Sequence, residues 1–122
     1  MPLTLHVFSG RFGSHEGAQC YAEQQWQDDS DDTTWALRED LPVTYLNADF
    51  VETIFGDDKI DYLESQLARD SDRSTLRVEI PPEADTLVLI MSPAFDGKKV
   101  RLTSTPKLRY HGEYRWRLGD KL

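Results

Sequence analysis

Leu87-Val88-Leu89-Ile90-Met91 is an unbroken apolar run, closed in by Asp85 on one side and Pro93 on the other. A run this short between breakers reads as a central strand of a sheet. The rest of the chain has to supply its neighbours. Leu3, Leu5 and Val7 alternate with Thr4, His6 and Phe8, the period-two pattern of a strand with one face more buried than the other, and Ser9-Gly10 ends it. From Ser74 the same period returns: Leu76, Val78 and Ile80 oppose Thr75, Arg77 and Glu79 before Pro81-Pro82, predicting a second strand there. Asp96-Gly97 predicts a hairpin turn leading into Val100 and Leu102. Leu108, Tyr110, Tyr114, Trp116 and Leu118 alternate with Lys107, Arg109, Arg115 and Arg117, and His111-Gly112 interrupts them. This predicts either a final hairpin or one bulged edge strand.

Helical spacing fills the remaining length. Ser14 is a good N-cap with Glu16 in the first turn, and Ala18, Tyr21, Ala22 and Trp26 follow on one face, predicting a helix over 14–26. Leu41-Pro42-Val43 reads as extended, because the residue before proline avoids the helical region, whereas Ala48, Val51, Ile54 and Phe55 predict a short helix over 48–55. Asp57 or Asp58 can cap a further helix whose apolar stripe is Ile60, Leu63 and Leu67. The expected fold is α+β, a single domain over 1–122, with a mostly antiparallel sheet of about five strands and two to three helices packed on it.

Charge narrows the choice of partner. The 122 residues carry 14 basic and 22 acidic side chains, a net charge of -8, which repels phosphate backbones and argues against nucleic acid or an anionic membrane. The imbalance is concentrated: residues 1–70 hold fifteen acids and four bases, residues 71–122 seven and ten. An acidic interaction surface in the first half is the natural reading. No apolar run approaches the roughly 20 residues needed to cross a bilayer, and the first ten residues lack the pattern of a secretory signal, so a cytoplasmic location is expected. Cys20 is the only cysteine and reads as a small buried hydrophobe.

The densest acidic stretch is Gln25 to Trp35, with Asp28, Asp29, Asp31 and Asp32 between Trp26 and Trp35. Against a calcium loop, Asp28, Ser30, Asp32 and Glu39 take positions 1, 3, 5 and 12, but Thr33 stands where glycine is needed and Ala36 at position 9 offers no ligand. A solvated acidic turn fits better, and no metal or other cofactor is expected. His6, His15 and His111 lack metal-ligand spacing. Ser9 stands at a strand end without a recognisable base partner in its motif, and Asp49 with Glu52 reads as two solvated carboxylates rather than an acid-base pair. The alternating bases Lys99, Arg101, Lys107, Arg109, Arg115 and Arg117 read as the wet face of a half-buried sheet. A small enzyme or metal-dependent module using residues 28–40 and His15 is the rival reading.

Three segments together resemble the immunity protein 22 family of bacterial polymorphic toxin systems. They are His6-Val7-Phe8-Ser9-Gly10-Arg11-Phe12 with Ser14 and Tyr21, then Asn47-Ala48-Asp49-Phe50-Val51-Glu52, then Leu108-Arg109-Tyr110-His111-Gly112-Glu113-Tyr114. Phe8 stands where the family pattern has tryptophan, Ser9 where an apolar residue is usual and Ala48 where an acid is common, as in a divergent member. The resemblance implies a non-enzymatic binding function: neutralisation of a cognate toxin domain that acts in the cytoplasm, where nucleases are the common class. The expected contact face is Asp28, Asp29, Asp31, Asp32, Glu39, Asp40, Asp49, Glu52, Asp57 and Asp58, with Trp35 and Trp26 as apolar anchors; the sequence leaves the oligomeric state open, a monomer being favoured.

Overall fold

In the computed structural model, which describes residues 3–26, 33–43 and 45–117, the apolar run is strand β5 (Thr86–Met91), buried along its whole length. It lies between β4 (Val51–Phe55) and β1 (Thr4–Gly10), and β6 (Leu108–Arg115) pairs with the far side of β1. The sheet order is therefore β4-β5-β1-β6, and every neighbouring pair is antiparallel. A short second ribbon joins β2 (Gln25–Trp26) to β3 (Thr33–Thr34). The α+β architecture read from the sequence is the one observed, with four strands in the main sheet among the described residues where about five were expected.

Both faces of the sheet are covered. Leu5 and Val7 of β1 and Leu87, Leu89 and Met91 of β5 meet Leu63 of α3 (Lys59–Gln66), Leu67 just beyond it, and Leu76 of α4 (Asp70–Glu79) with the following Ile80. Phe8, Val88 and Ile90 point the other way, against Tyr21 and Ala22 of α1 (His15–Ala22), Trp35, Leu37 of α2 (Ala36–Asp40) and Phe95. Each buried valine, leucine, isoleucine, phenylalanine or methionine among them contributes about 1.5–3 kcal/mol of transfer free energy. Two layers explain why Leu5 to Ser9 are all buried, where alternation predicted one wetter face.

Several local expectations are corrected. Residues 70–79 form a helix, not a strand from Ser74: Leu76 is buried with Ile80, four residues on, while Val78 is 87% exposed. The alternating stretch contains an i, i+4 apolar pair as well as a period of two, and Asp70 and Asp72 in the first turn favour the positive end of the helix dipole. Arg73 then fastens α4 to the end of α3, donating to the carbonyls of Glu64 (2.9 Å) and Leu67 (2.6 Å). Over 48–55 only Ala48–Phe50 is helical, a 3-10 turn, and Val51-Glu52-Thr53-Ile54, in which Val51, Thr53 and Ile54 are β-branched, continues as β4. The first helix stops at Ala22, and Trp26 belongs to β2 instead. Asp96 and Gly97 both take positive φ (55° and 75°), but they close a 3-10 helix (Ser92–Phe95), and Val100 to Leu102 form no strand. Cys20 is exposed, because Ala18, Tyr21 and Ala22 define the buried side of α1.

The final segment is the single bulged edge strand. Val7 lies opposite Gly112 and Phe8 opposite Tyr110, so His111 is the extra residue on β6. Gly112 has φ of 115°, a conformation side-chain-bearing residues rarely adopt.

Candidate functional site

The bulge turns His111 toward α4. Its Nδ1 lies 2.8 Å from Oε1 of Glu79, the last residue of α4, and its Nε2 lies 2.7 Å from Oγ of Ser9 near the end of β1. A carboxylate only accepts, so Nδ1 carries the hydrogen donated to Glu79, and in the neutral ring Nε2 accepts from the Ser9 hydroxyl. Serine, histidine and carboxylate are thus joined in one polar chain, with Ser9 2% and His111 6% exposed. Three separate elements supply the three groups, which spacing alone does not reveal. In sequence, Ser9 has no partner in its own motif, His111 is one of three scattered histidines, and Glu79 falls in an expected strand.

Ser9 also lines a cleft of about 450 Å³ at this end of the sheet, with Gly10, Arg11, Glu83, Lys107 and Arg109 among its walls. At Gly10 a Cβ would come 2.8 Å from the Lys107 carbonyl oxygen, so the close approach of β1 and β6 beside the cleft requires glycine. The chain leaving β1 is pinned by Asp85, whose carboxylate accepts from the N–H groups of Phe12 and Gly13, each at 2.9 Å, and from the Thr86 hydroxyl at 2.8 Å. Burial pushes the Asp85 pKa up, but these donors and Arg11 outweigh it and hold the carboxyl below its usual range.

On the opposite face, His6 Nδ1 lies 2.8 Å from the Tyr110 hydroxyl and Nε2 3.6 Å from Glu113, which also accepts from the Thr4 hydroxyl. Burial lowers the His6 pKa, and Glu113 offsets part of that effect. Burial, then Glu113 and Tyr114, pushes Tyr110 up to about 12.

The expected acidic face divides into groups. Asp28, Asp29, Asp31 and Asp32 lie outside the described residues. Glu39 and Asp40 are exposed on α2, and Asp40 accepts from the Tyr21 hydroxyl at 2.6 Å, tying α2 to α1. Asp49 lies in the 3-10 turn before β4, Glu52 on that edge strand, and Asp57 and Asp58 in the turn after it. Asp49, Asp57 and Asp58 are exposed, while Glu52 is half-buried and accepts from the Tyr62 hydroxyl. Trp35 is corrected from surface anchor to core: it is 6% exposed and its indole N–H donates to the Ala22 carbonyl at 2.8 Å. A side chain at that depth packs the domain and has no face to offer a partner. His15 stacks on Phe55 with ring centroids 6.0 Å apart.

Among the described residues, no group of three or more histidine, cysteine, aspartate or glutamate side chains is placed to hold a metal ion, and no helix is long and apolar enough to cross a membrane. No protein-family model, curated protein or solved structure gives a significant match to this chain.

Proposed function

We propose that the chain is an immunity protein that binds and neutralises a cognate toxin domain acting in the cytoplasm, of the nuclease class, through its acidic side. The observation that carries this reading is the set of carboxylates at β4, an edge strand of the main sheet: Asp49 in the turn before it, Glu52 on it, and Asp57 and Asp58 in the turn after it. An edge strand presents backbone donors and acceptors to an incoming chain, and the carboxylates around it select a basic one. Nucleases carry basic substrate clefts, since they bind phosphate backbones. A protein with a net charge of -8 complements such a surface and would speed encounter with it. The resemblance of the three sequence segments to the immunity protein 22 family supports the same conclusion. Glu39 and Asp40 are exposed on α2, where Asp40 meets the Tyr21 hydroxyl that also bonds Thr105 beside β6, so they lie apart from the β4 edge, and the core position of Trp35 leaves the apolar anchors to other residues. Co-expression with the toxin domain encoded beside its gene tests the reading: growth is restored and the two proteins co-purify. Unrelieved toxicity in the presence of the folded protein refutes it.

A further inference from the structure

The geometry points to Ser9, His111 and Glu79 as an acyl-transfer triad, with Ser9 as nucleophile and a short-chain carboxylic ester as the class of substrate. Hydroxyl, imidazole and carboxylate are linked in the order that nucleophilic catalysis requires, at 2.7 Å and 2.8 Å. The base is oriented by a third group that does not touch the substrate, so Glu79 is a positioning residue while Ser9 and His111 are the catalytic pair. Two features favour chemistry over a purely structural strut. The serine, itself 2% exposed, is among the residues bordering a cleft large enough for a small ester. The cleft walls also carry Arg11, Lys107 and Arg109 against a single acid, Glu83, so the lining is net positive, which favours a developing oxyanion. The inference is independent of the binding function proposed above.

The step balances with water as the only co-reactant. Ser9 Oγ forms a bond to the ester carbonyl carbon as its proton passes to His111 Nε2. The carbon–alkoxide bond breaks, the leaving oxygen takes that proton from His111, and the acyl group remains on Ser9. Water, deprotonated by His111, then attacks the acyl carbon, releasing the carboxylic acid and restoring the serine hydroxyl.

The test treats the full chain with a fluorophosphonate probe and maps the adduct by peptide mass spectrometry, alongside p-nitrophenyl acetate hydrolysis. The expected result is an adduct on Ser9 of the unaltered protein, absent in Ser9→Ala and formed about 100-fold more slowly in His111→Gln. Glu79→Gln should lower kcat for the acetate ester with KM unchanged, a split that general loosening of the fold would not produce. A folded wild-type chain that forms no adduct, or forms it elsewhere than Ser9, overturns the proposal. Mapping the adduct on the wild-type chain makes this outcome independent of whether any variant folds.

Discussion

Tyr110 and Glu113 stand three residues apart on one strand, yet both approach the same imidazole, that of His6, from the same face of the sheet. In a regular strand, residues separated by three point to opposite faces. The extra residue at His111 supplies the change of phase, and it sends His111 itself to the other face, where Ser9 and Glu79 lie. One bulge therefore organises two buried polar groups, and Gly112 is the residue whose positive φ makes the bulge.

Replacing Gly112 by alanine tests that dependence. The nearest atoms a Cβ at this position would meet are those of Tyr114, at 3.4 Å or more, so the cost comes from backbone conformation and not from a clash. Gly112→Ala is expected to lower the unfolding free energy by about 1–3 kcal/mol, read from the urea midpoint. Gly97→Ala, also at positive φ but in an exposed turn, provides a comparison outside the bulge.

Acid should weaken the protein through His6. Burial depresses its pKa in the folded state, so the unfolded chain binds this proton at higher pH than the native one. Stability from the neutral ring is fully present above the unfolded value of 6.5 and is lost as pH falls from there toward the depressed folded value. Urea midpoints at pH 7.5 and 5.5 measure the effect. His6→Gln is expected to be less stable at both, with a smaller difference between them.

The helical structure of 70–79 makes two neighbouring apolar residues behave differently. Leu76→Ala should cost about 2–5 kcal/mol, because the side chain is buried against the β1–β5 face. Val78→Lys should stay within about 0.5 kcal/mol of wild type, since Val78 is exposed. A strand with Leu76 and Val78 on one buried face would make both substitutions costly, so chemical denaturation of the pair separates the two structures.

How far the sequence reveals this molecule depends on the range of the interaction involved. The central strand, the Ser14 cap and the Leu63 and Leu67 stripe are legible because each is written in neighbouring residues, whereas His111-Gly112 leaves a hairpin and a bulged strand open and only the pairing with β1 decides it. Leu76 to Ile80 misleads because this short stretch satisfies both periods, and the deciding contacts, Arg73 to α3 and Leu76 to the sheet, come from residues outside it. The Ser9, His111 and Glu79 chain is invisible for the same reason: His111 is 102 residues from Ser9 and 32 from Glu79. Trp35 sits among polar neighbours in sequence, and only the carbonyl of Ala22 and the core around it explain its burial.

The proposed binding function rests on the carboxylates flanking β4, and stopped-flow association with a candidate toxin domain, where one is encoded beside the gene, tests it most directly. Asp49, Asp57 and Asp58 are exposed, so changing all three to asparagine removes charge without opening the core. Association should slow by about 10-fold at low salt, and its dependence on ionic strength should flatten. An association rate and salt slope equal to those of the wild type would contradict the role assigned to this edge.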